Sequence, residues 1–420
     1  GLGDVYKRQD SYLINSMKSL FYLSLVAAGM FAVHANGQSL YTLAGPVGLE
    51  ESLPFKWFFN LAGGYDDNVN ASNYNKQESA FISTDIGCSL ANYDAVTQYS
   101  FSAKLGGIFY LKDLDGGTNE ALSNSTLSAK LSHSFDQTLR YNGSVSFAWQ
   151  PEPNYSNGIA NARRDGDYIY VYVSSSVSKA WTSRYSTTLG ANFSMIDYQE
   201  DSAKTDNRDY VGMNFTNRYK WTERLAVSLG WTGSYCNREY GNNEFSNFVM
   251  AGAEYAVSEN TSATLRVGPQ FKYVENYGTK TYPSAEFGLN HRLSDRFMLG
   301  TFVRYSNEAV NTYIPYNGAS YYSNETWRFG VHSTLKLTHR VSLNCGVNLV
   351  ASDYTRPSSI SNSDTSNLTF NATAGIKLLL TNALALTAQY SYTNGSYSGY
   401  NYPMPSYNRN VFSFGVNYSF

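Results

Sequence analysis

The residue types that most often carry catalysis are few in this chain and poorly spaced for it. Beyond His34 the histidines are His133, His291, His332 and His339, and no two form an H-x-H or H-E-x-x-H pair able to hold a catalytic metal. The cysteines, Cys88, Cys236 and Cys345, are too few and too scattered for a disulfide framework or a zinc site. No G-x-S-x-G elbow occurs. The acidic stretch from Asp201 to Asp209 has neither the spacing nor the turn glycine of a calcium loop. The reading is therefore not an enzyme, with no catalytic residue, cofactor or metal. Chemistry of another kind is carried by basic residues set among Ser, Thr, Asn and Gly: Lys56, Lys104, Lys130, Arg140, Arg218, Lys220, Arg266, Lys272, Arg304, Arg328, Lys336 and Lys377. The acids in the same setting are Asp85, Glu254 and Glu286. If these share one face of a closed wall, a basic low-dielectric cylinder concentrates anions inside it. The competing expectation is that the cations pair with neighbours and merely fill the interior.

Placing such residues on one face requires strands. From Phe55 to Phe420 the chain alternates with period two. In 225–235, Leu225, Val227, Leu229, Trp231 and Tyr235 share one parity and Ala226, Ser228, Gly230, Thr232 and Ser234 the other. The same holds for Trp327 to Leu337, for Val341 to Leu349, and for the terminal Phe412, Phe414, Val416, Tyr418 and Phe420. The runs reach about 10–14 residues, the length of tilted transmembrane strands rather than of ordinary globular ones. Their apolar parity carries almost no charge, which suits lipid on one side and a watery lumen on the other.

Composition agrees. Charged residues are 15% of the 420 and aromatics 16%, with 37 Tyr and 23 Phe. A net charge of -2 argues against a nucleic-acid partner, which would need a basic excess. The single long apolar run, 19–33, follows Met17-Lys18 and ends in small residues. It reads as a secretory signal over 17–35 rather than a helical anchor. Residues 1–16 are then an upstream, non-native leader, 36–54 a periplasmic N-terminal segment and 55–420 the barrel.

Short polar turns recur about every 40 residues, at Tyr93-Asp94, Asp136-Gln137, Thr182-Ser183, Thr222-Glu223, Glu259-Asn260, Ser294-Asp295, Thr338-His339 and Thr381-Asn382. Several share one grammar: WTSRY (181–185), WTERL (221–225), LSDRF (293–297) and LTHRV (337–341). Eight turns separate nine hairpins, so the expected fold is an all-β transmembrane antiparallel barrel of about 18 strands, with 16 inside the boundary error. Turns at the periplasmic end are short and extracellular loops longer, the longest expected at 151–167, 353–367 and 394–409. Two long strands per repeat disfavour a propeller, which needs four short ones.

The motifs GGYDDNV (63–69) and QPEPN…ARRDGDYIYV (150–171), the LSDRF-type turns and the aromatic C-terminus resemble the outer-membrane beta-barrel porin family, the second family so named. The resemblance runs over nearly the whole mature chain and implies a barrel porin, with no catalytic residue to carry over. The terminal Phe412, Phe414, Val416, Tyr418 and Phe420 are similar to the C-terminal signature by which barrel-assembly machinery recognises such chains. The expected partners are outer-membrane lipid, that machinery and small hydrophilic solutes, with a homo-oligomer left open. The expected function is passive diffusion of small hydrophilic solutes, anions or sugars first. The alternative is a non-conducting surface barrel acting as an adhesin or as part of an envelope complex.

Overall fold

In the computed structural model, residues 55–112, 124–150, 167–201, 203–294, 296–309, 321–355, 365–398 and 406–420 are described. The expected leader, signal and N-terminal segment lie outside these residues. Eighteen antiparallel strands form one sheet. They are β1 (55–66), β2 (79–93), β3 (97–110), β4 (125–134), β5 (139–150), β6 (168–180), β7 (185–198), β8 (208–220) and β9 (225–238). The second half comprises β10 (244–258), β11 (261–274), β12 (278–294), β13 (297–307), β14 (323–336), β15 (341–355), β16 (365–379), β17 (384–398) and β18 (407–419). Each strand pairs with its sequence neighbours, and β1 also pairs with β18, from Phe58↔Ser419 to Asp66↔Val411. Closure removes the exposed strand edges on which so β-rich a chain would otherwise aggregate.

The alternation sets which face meets lipid. On β1 the exposed residues are Phe55, Trp57, Phe59 and Leu61, and the half-buried ones Lys56, Phe58, Asn60 and Ala62. Aromatics gather in two girdles. Trp57, Trp181, Tyr219, Trp221, Tyr255 and Tyr418 stand near the short turns, and Tyr65, Tyr235, Phe245, Tyr273 and Trp327 near the other end. Aliphatic residues such as Leu61, Leu105, Leu189, Leu229 and Leu265 fill the belt between. Phe245 and Tyr255 lie ten positions apart on β10. At a rise of about 3.3 Å and a tilt of about 40° they are about 25 Å apart along the barrel axis, the height of an outer-membrane apolar band.

All eight expected turns join the strand pairs where the sequence places them. Their shared grammar has a hydrogen-bonding cause. Thr182 Oγ1 accepts the backbone N–H groups of Arg184 and Tyr185 at 3.2 and 3.0 Å. Thr222 serves Arg224 and Leu225, Thr338 serves Arg340 and Val341, and Thr381 serves Ala383 and Leu384, at 2.9–3.2 Å. Asp136 plays the part with its carboxylate, and the Thr138 hydroxyl and amide hold its pKa below the usual carboxylate range.

Two expected loops are shorter than 353–367 and 394–409, because β15 runs on to Thr355, β16 starts at Thr365, β17 reaches Ser398 and β18 starts at Tyr407. Polar strand tips beyond the apolar belt look like loop in sequence yet keep their ladder. The connection 308–322, between β13 and β14, is longer than either and was not among those expected.

Prolines sit where the ladder does not need them. Pro269 and Pro283 face each other on β11 and β12. The β10–β11 pairing skips from Phe248↔Gln270 to Ala251↔Val267, and β12–β13 pairing begins only at Ala285, so neither missing N–H breaks a bond. At the same irregularity Gly268 lets the β10 backbone approach so closely that a Cβ would lie 1.9 Å from the Val249 carbonyl oxygen. Gly268→Ala must push backbone aside. It is expected to cost about 1–3 kcal/mol, read as a lower temperature for loss of the heat-modifiable band on a semi-native gel.

Candidate functional site

The inward face is the candidate site. Residues directly opposite across a ladder share a face, so the register assembles rows. One row reads Arg218, Ser228, Gly252, Arg266, Glu286, Arg304 and Arg328 across β8 to β14. Arg218 lies near the short-turn end of β8 and Arg328 toward the long-loop end of β14. The row therefore climbs the wall from one mouth toward the other. Higher on the same wall Tyr172, Ser194, Tyr210, Cys236 and Glu244 stand opposite one another on β6 to β10. Between these rows lies a recess of about 280 Å³, bordered by Tyr170, Tyr172, Tyr210, Asn214, Gln270 and Arg266 among others. Its hydroxyls, amides and aromatic rings suit hydrogen bonding to a hydrated or polyhydroxyl solute.

The expected wall residues all fall in strands, but most of the mid-wall cations are paired. Lys104 stands 4.0 Å from Asp85 and donates to Asn124 at 2.8 Å, and Asn60 donates to Asp85 at 2.5 Å. Arg218 pairs with Glu254 at 2.8 Å, and Arg266 with Glu286 at 3.7 Å. Lys272 is buried against Glu244 at 2.8 Å, and Glu244 also meets Arg238. Arg304 and Arg328 share Glu308 at 2.5 and 2.7 Å. Lys130, Arg140 and Lys336 are exposed toward the short turns, and Arg140 donates to the Ser134 hydroxyl at 3.2 Å.

The expected excess of a dozen cations over three acids is thus corrected. Beyond Asp85, Glu254 and Glu286 the wall holds Glu244, which opens β10, and Asp66, which closes β1. Glu308, directly after β13, sits between two arginines. Alternation from Phe245 already put Glu244 on the inward parity, and Glu308 was legible as the first residue past a strand. Arg238 and Arg409, also inward and with side chains only 7% and 3% exposed, were missed.

The sequence motifs resolve into tethers. Asp66 of GGYDDNV, fully buried, accepts Arg409 Nε at 3.0 Å and Nη2 at 2.5 Å across the β1–β18 seam. Asp67 accepts Asn410 N and Nδ2 at 2.6 and 2.7 Å, and Asn68 Nδ2 reaches the Asn408 carbonyl at 2.8 Å. In the second motif Asp167 accepts from Trp149 Nε1, and Tyr168 accepts Gln150 Nε2 at 2.8 Å. The rest of that motif, 151–166, lies outside the described residues.

His133 and His291 bond threonine hydroxyls on the neighbouring strands, Thr97 at 2.8 Å and Thr261 at 2.7 Å. Among the described residues no group of three or more His, Cys, Asp or Glu is placed to hold a metal ion. Phe412, Phe414, Val416, Tyr418 and Phe420 all stand exposed on the lipid side.

No family model matches the chain, and no curated protein does. Among solved structures, OccAB4 of Acinetobacter baumannii is 12% identical over 89% of this chain and 100% of its own, with a TM-score of 0.45. A BenF-like porin of Pseudomonas fluorescens Pf-5 is 10% identical over 89% and 100%, with a TM-score of 0.45. OpdK of Pseudomonas aeruginosa, crystallised with vanillate, is 9% identical over 87% and 99%, with a TM-score of 0.45. By its own topology, closure and apolar belt, the chain is an 18-stranded antiparallel β-barrel of the outer-membrane type.

Proposed function

We propose that this barrel is an outer-membrane porin through which small hydrophilic solutes diffuse passively, with anions preferred and sugars admitted. The observation that carries the reading is closure of 18 strands around a hydroxyl- and amide-rich inner wall inside a lipid-matched belt. Barrels of about 16–18 strands are wide enough to leave an aqueous channel. The reading extends to export by a signal over 17–35, and to insertion by the barrel-assembly machinery through Phe412, Phe414, Val416, Tyr418 and Phe420. Membership in the second outer-membrane beta-barrel porin family rests on GGYDDNV and RRDGDYIYV. Lys104, Lys130, Arg140, Arg218, Arg266, Lys272, Arg304, Arg328 and Lys336 belong to the pore lining, with Asp85, Glu254 and Glu286.

The test is single-channel recording of the refolded mature chain in a planar bilayer. Stable open steps whose conductance scales with bulk salt are expected. A folded, heat-modifiable barrel that never conducts would move the reading to a surface adhesin or an envelope component.

A further inference from the structure

We infer that discrimination between anions and cations is made at the short-turn mouth, by an arc of arginines that the turns themselves carry. The inference rests on the porin reading and assigns its selectivity to residues outside the strands. Arg184, Arg224, Arg296 and Arg340 each occupy the last position of a turn, directly before Tyr185, Leu225, Phe297 and Val341, and all four are exposed. Those four followers start the lipid-side parity, so each arginine position falls on the inward parity. The ladder agrees. The Arg184 carbonyl accepts Lys220 N at 2.8 Å and the Arg296 carbonyl accepts Lys336 N at 2.7 Å, which continues the pairs Tyr185↔Tyr219 and Phe297↔Leu335 by one step.

Two observations say that these arginines are not there to build the turn. First, the turn at 380–383 makes the same two hydrogen bonds, from Ala383 N and Leu384 N to Thr381 Oγ1 at 3.2 and 3.0 Å, with alanine in the arginine's place. Second, Arg184 lies opposite Lys220 and Arg296 opposite Lys336, and like charges directly opposite destabilise a sheet. Among the described residues none of these four has a carboxylate within ion-pair distance, whereas the mid-wall arginines do. The described acids of this mouth are Asp94, Asp136, Glu223, Glu254 and Glu259, and Arg218 already engages Glu254. A like-charged, stability-costing arrangement at one mouth is a fixed positive potential. It admits anions and repels cations over about one Debye length, about 10 Å at 0.1 M salt.

The experiment is the reversal potential of the full mature channel under a KCl gradient centred near 0.1 M, with folding checked by heat-modifiable migration. Wild type is expected to favour anions. The quadruple variant R184A/R224A/R296A/R340A is expected to lower the anion-to-cation permeability ratio about threefold, an effect that vanishes near 1 M salt as screening shortens. Lysine at the same four positions is expected to keep the preference, and single variants to lower it in steps, so the result does not hang on the folding of one variant. An unchanged ratio in the quadruple alanine variant, or an equal loss with lysine, overturns the assignment. A conducting wild type without anion preference overturns it while leaving the porin standing. A wild type that never conducts removes the porin reading itself and the filter with it.

Discussion

Replacing Asp66 by Asn is expected to lower barrel stability by about 3–5 kcal/mol, because it leaves the Arg409 guanidinium buried without its counter-charge. The pair lies at the long-loop end of the one junction that joins strands distant in sequence. Every other neighbouring pair is a hairpin or is linked by a single loop, so its partners are already close in the unfolded chain. The β1–β18 seam must recover a much larger loop-closure entropy. Its ends are fixed unusually well. At the short-turn end Trp57 and Phe420 exchange backbone hydrogen bonds of 2.8 and 2.9 Å, and at the other end Asp66, Asp67 and Asn68 hold Arg409, Asn410 and the Asn408 carbonyl. Urea unfolding in detergent micelles of Asp66→Asn, Arg409→Gln and the double variant gives the coupling. The double variant is expected to be less damaged than the sum of the singles. Additive losses would mean that the two groups do not act as a pair.

The fold was legible because lipid and water impose opposite demands on successive residues. A strand such as 412–420, with five apolar side chains on one parity, has one place to go, and the eight short polar turns set the strand count. Parity also placed Arg218, Arg266 and Arg304 on the inner wall. What stayed hidden was partnership. Glu286 opposite Arg266 follows only from the register, and Glu308 between Arg304 and Arg328 only from the way the chain leaves β13. Composition cannot tell a cation that faces a solute from one that faces a carboxylate two strands away, as Arg218 faces Glu254. The turn arginines were visible as a motif, yet that Arg184 faces Lys220 and Arg296 faces Lys336 needed the ladder. Asp66 was left out of the wall acids for the same reason: its partner Arg409 lies 343 residues along the chain.

Glu308→Gln is expected to change both stability and conduction, and pH separates the two. Arg304 and Arg328 stand opposite each other on β13 and β14, a repulsive pair that the Glu308 carboxylate bridges. Burial pushes the Glu308 carboxyl upward, but Arg328 and then Arg304 outweigh it and hold the group down at about 2. A carboxylate depressed on folding stabilises fully above its unfolded pKa and loses that contribution as pH falls toward its folded one. The window therefore runs from about pH 4.5 down to about pH 2, and the loss across it is about 3 kcal/mol. Wild type should show that slope in urea midpoints, and Glu308→Gln should start lower and show a shallower one, since the other paired carboxylates remain. An equal slope in the variant would place the titrating group elsewhere. In the bilayer the same variant releases two arginines on the climbing row, which raises the positive charge of the inner wall by one unit at neutral pH. The anion-to-cation permeability ratio should therefore rise in Glu308→Gln, and at low salt most of all, since screening is weakest there. Compared at the same pH, wild type and variant should converge toward pH 2 as Glu308 protonates. A fall in the ratio would mean that the carboxylate holds the lumen open rather than neutralising it.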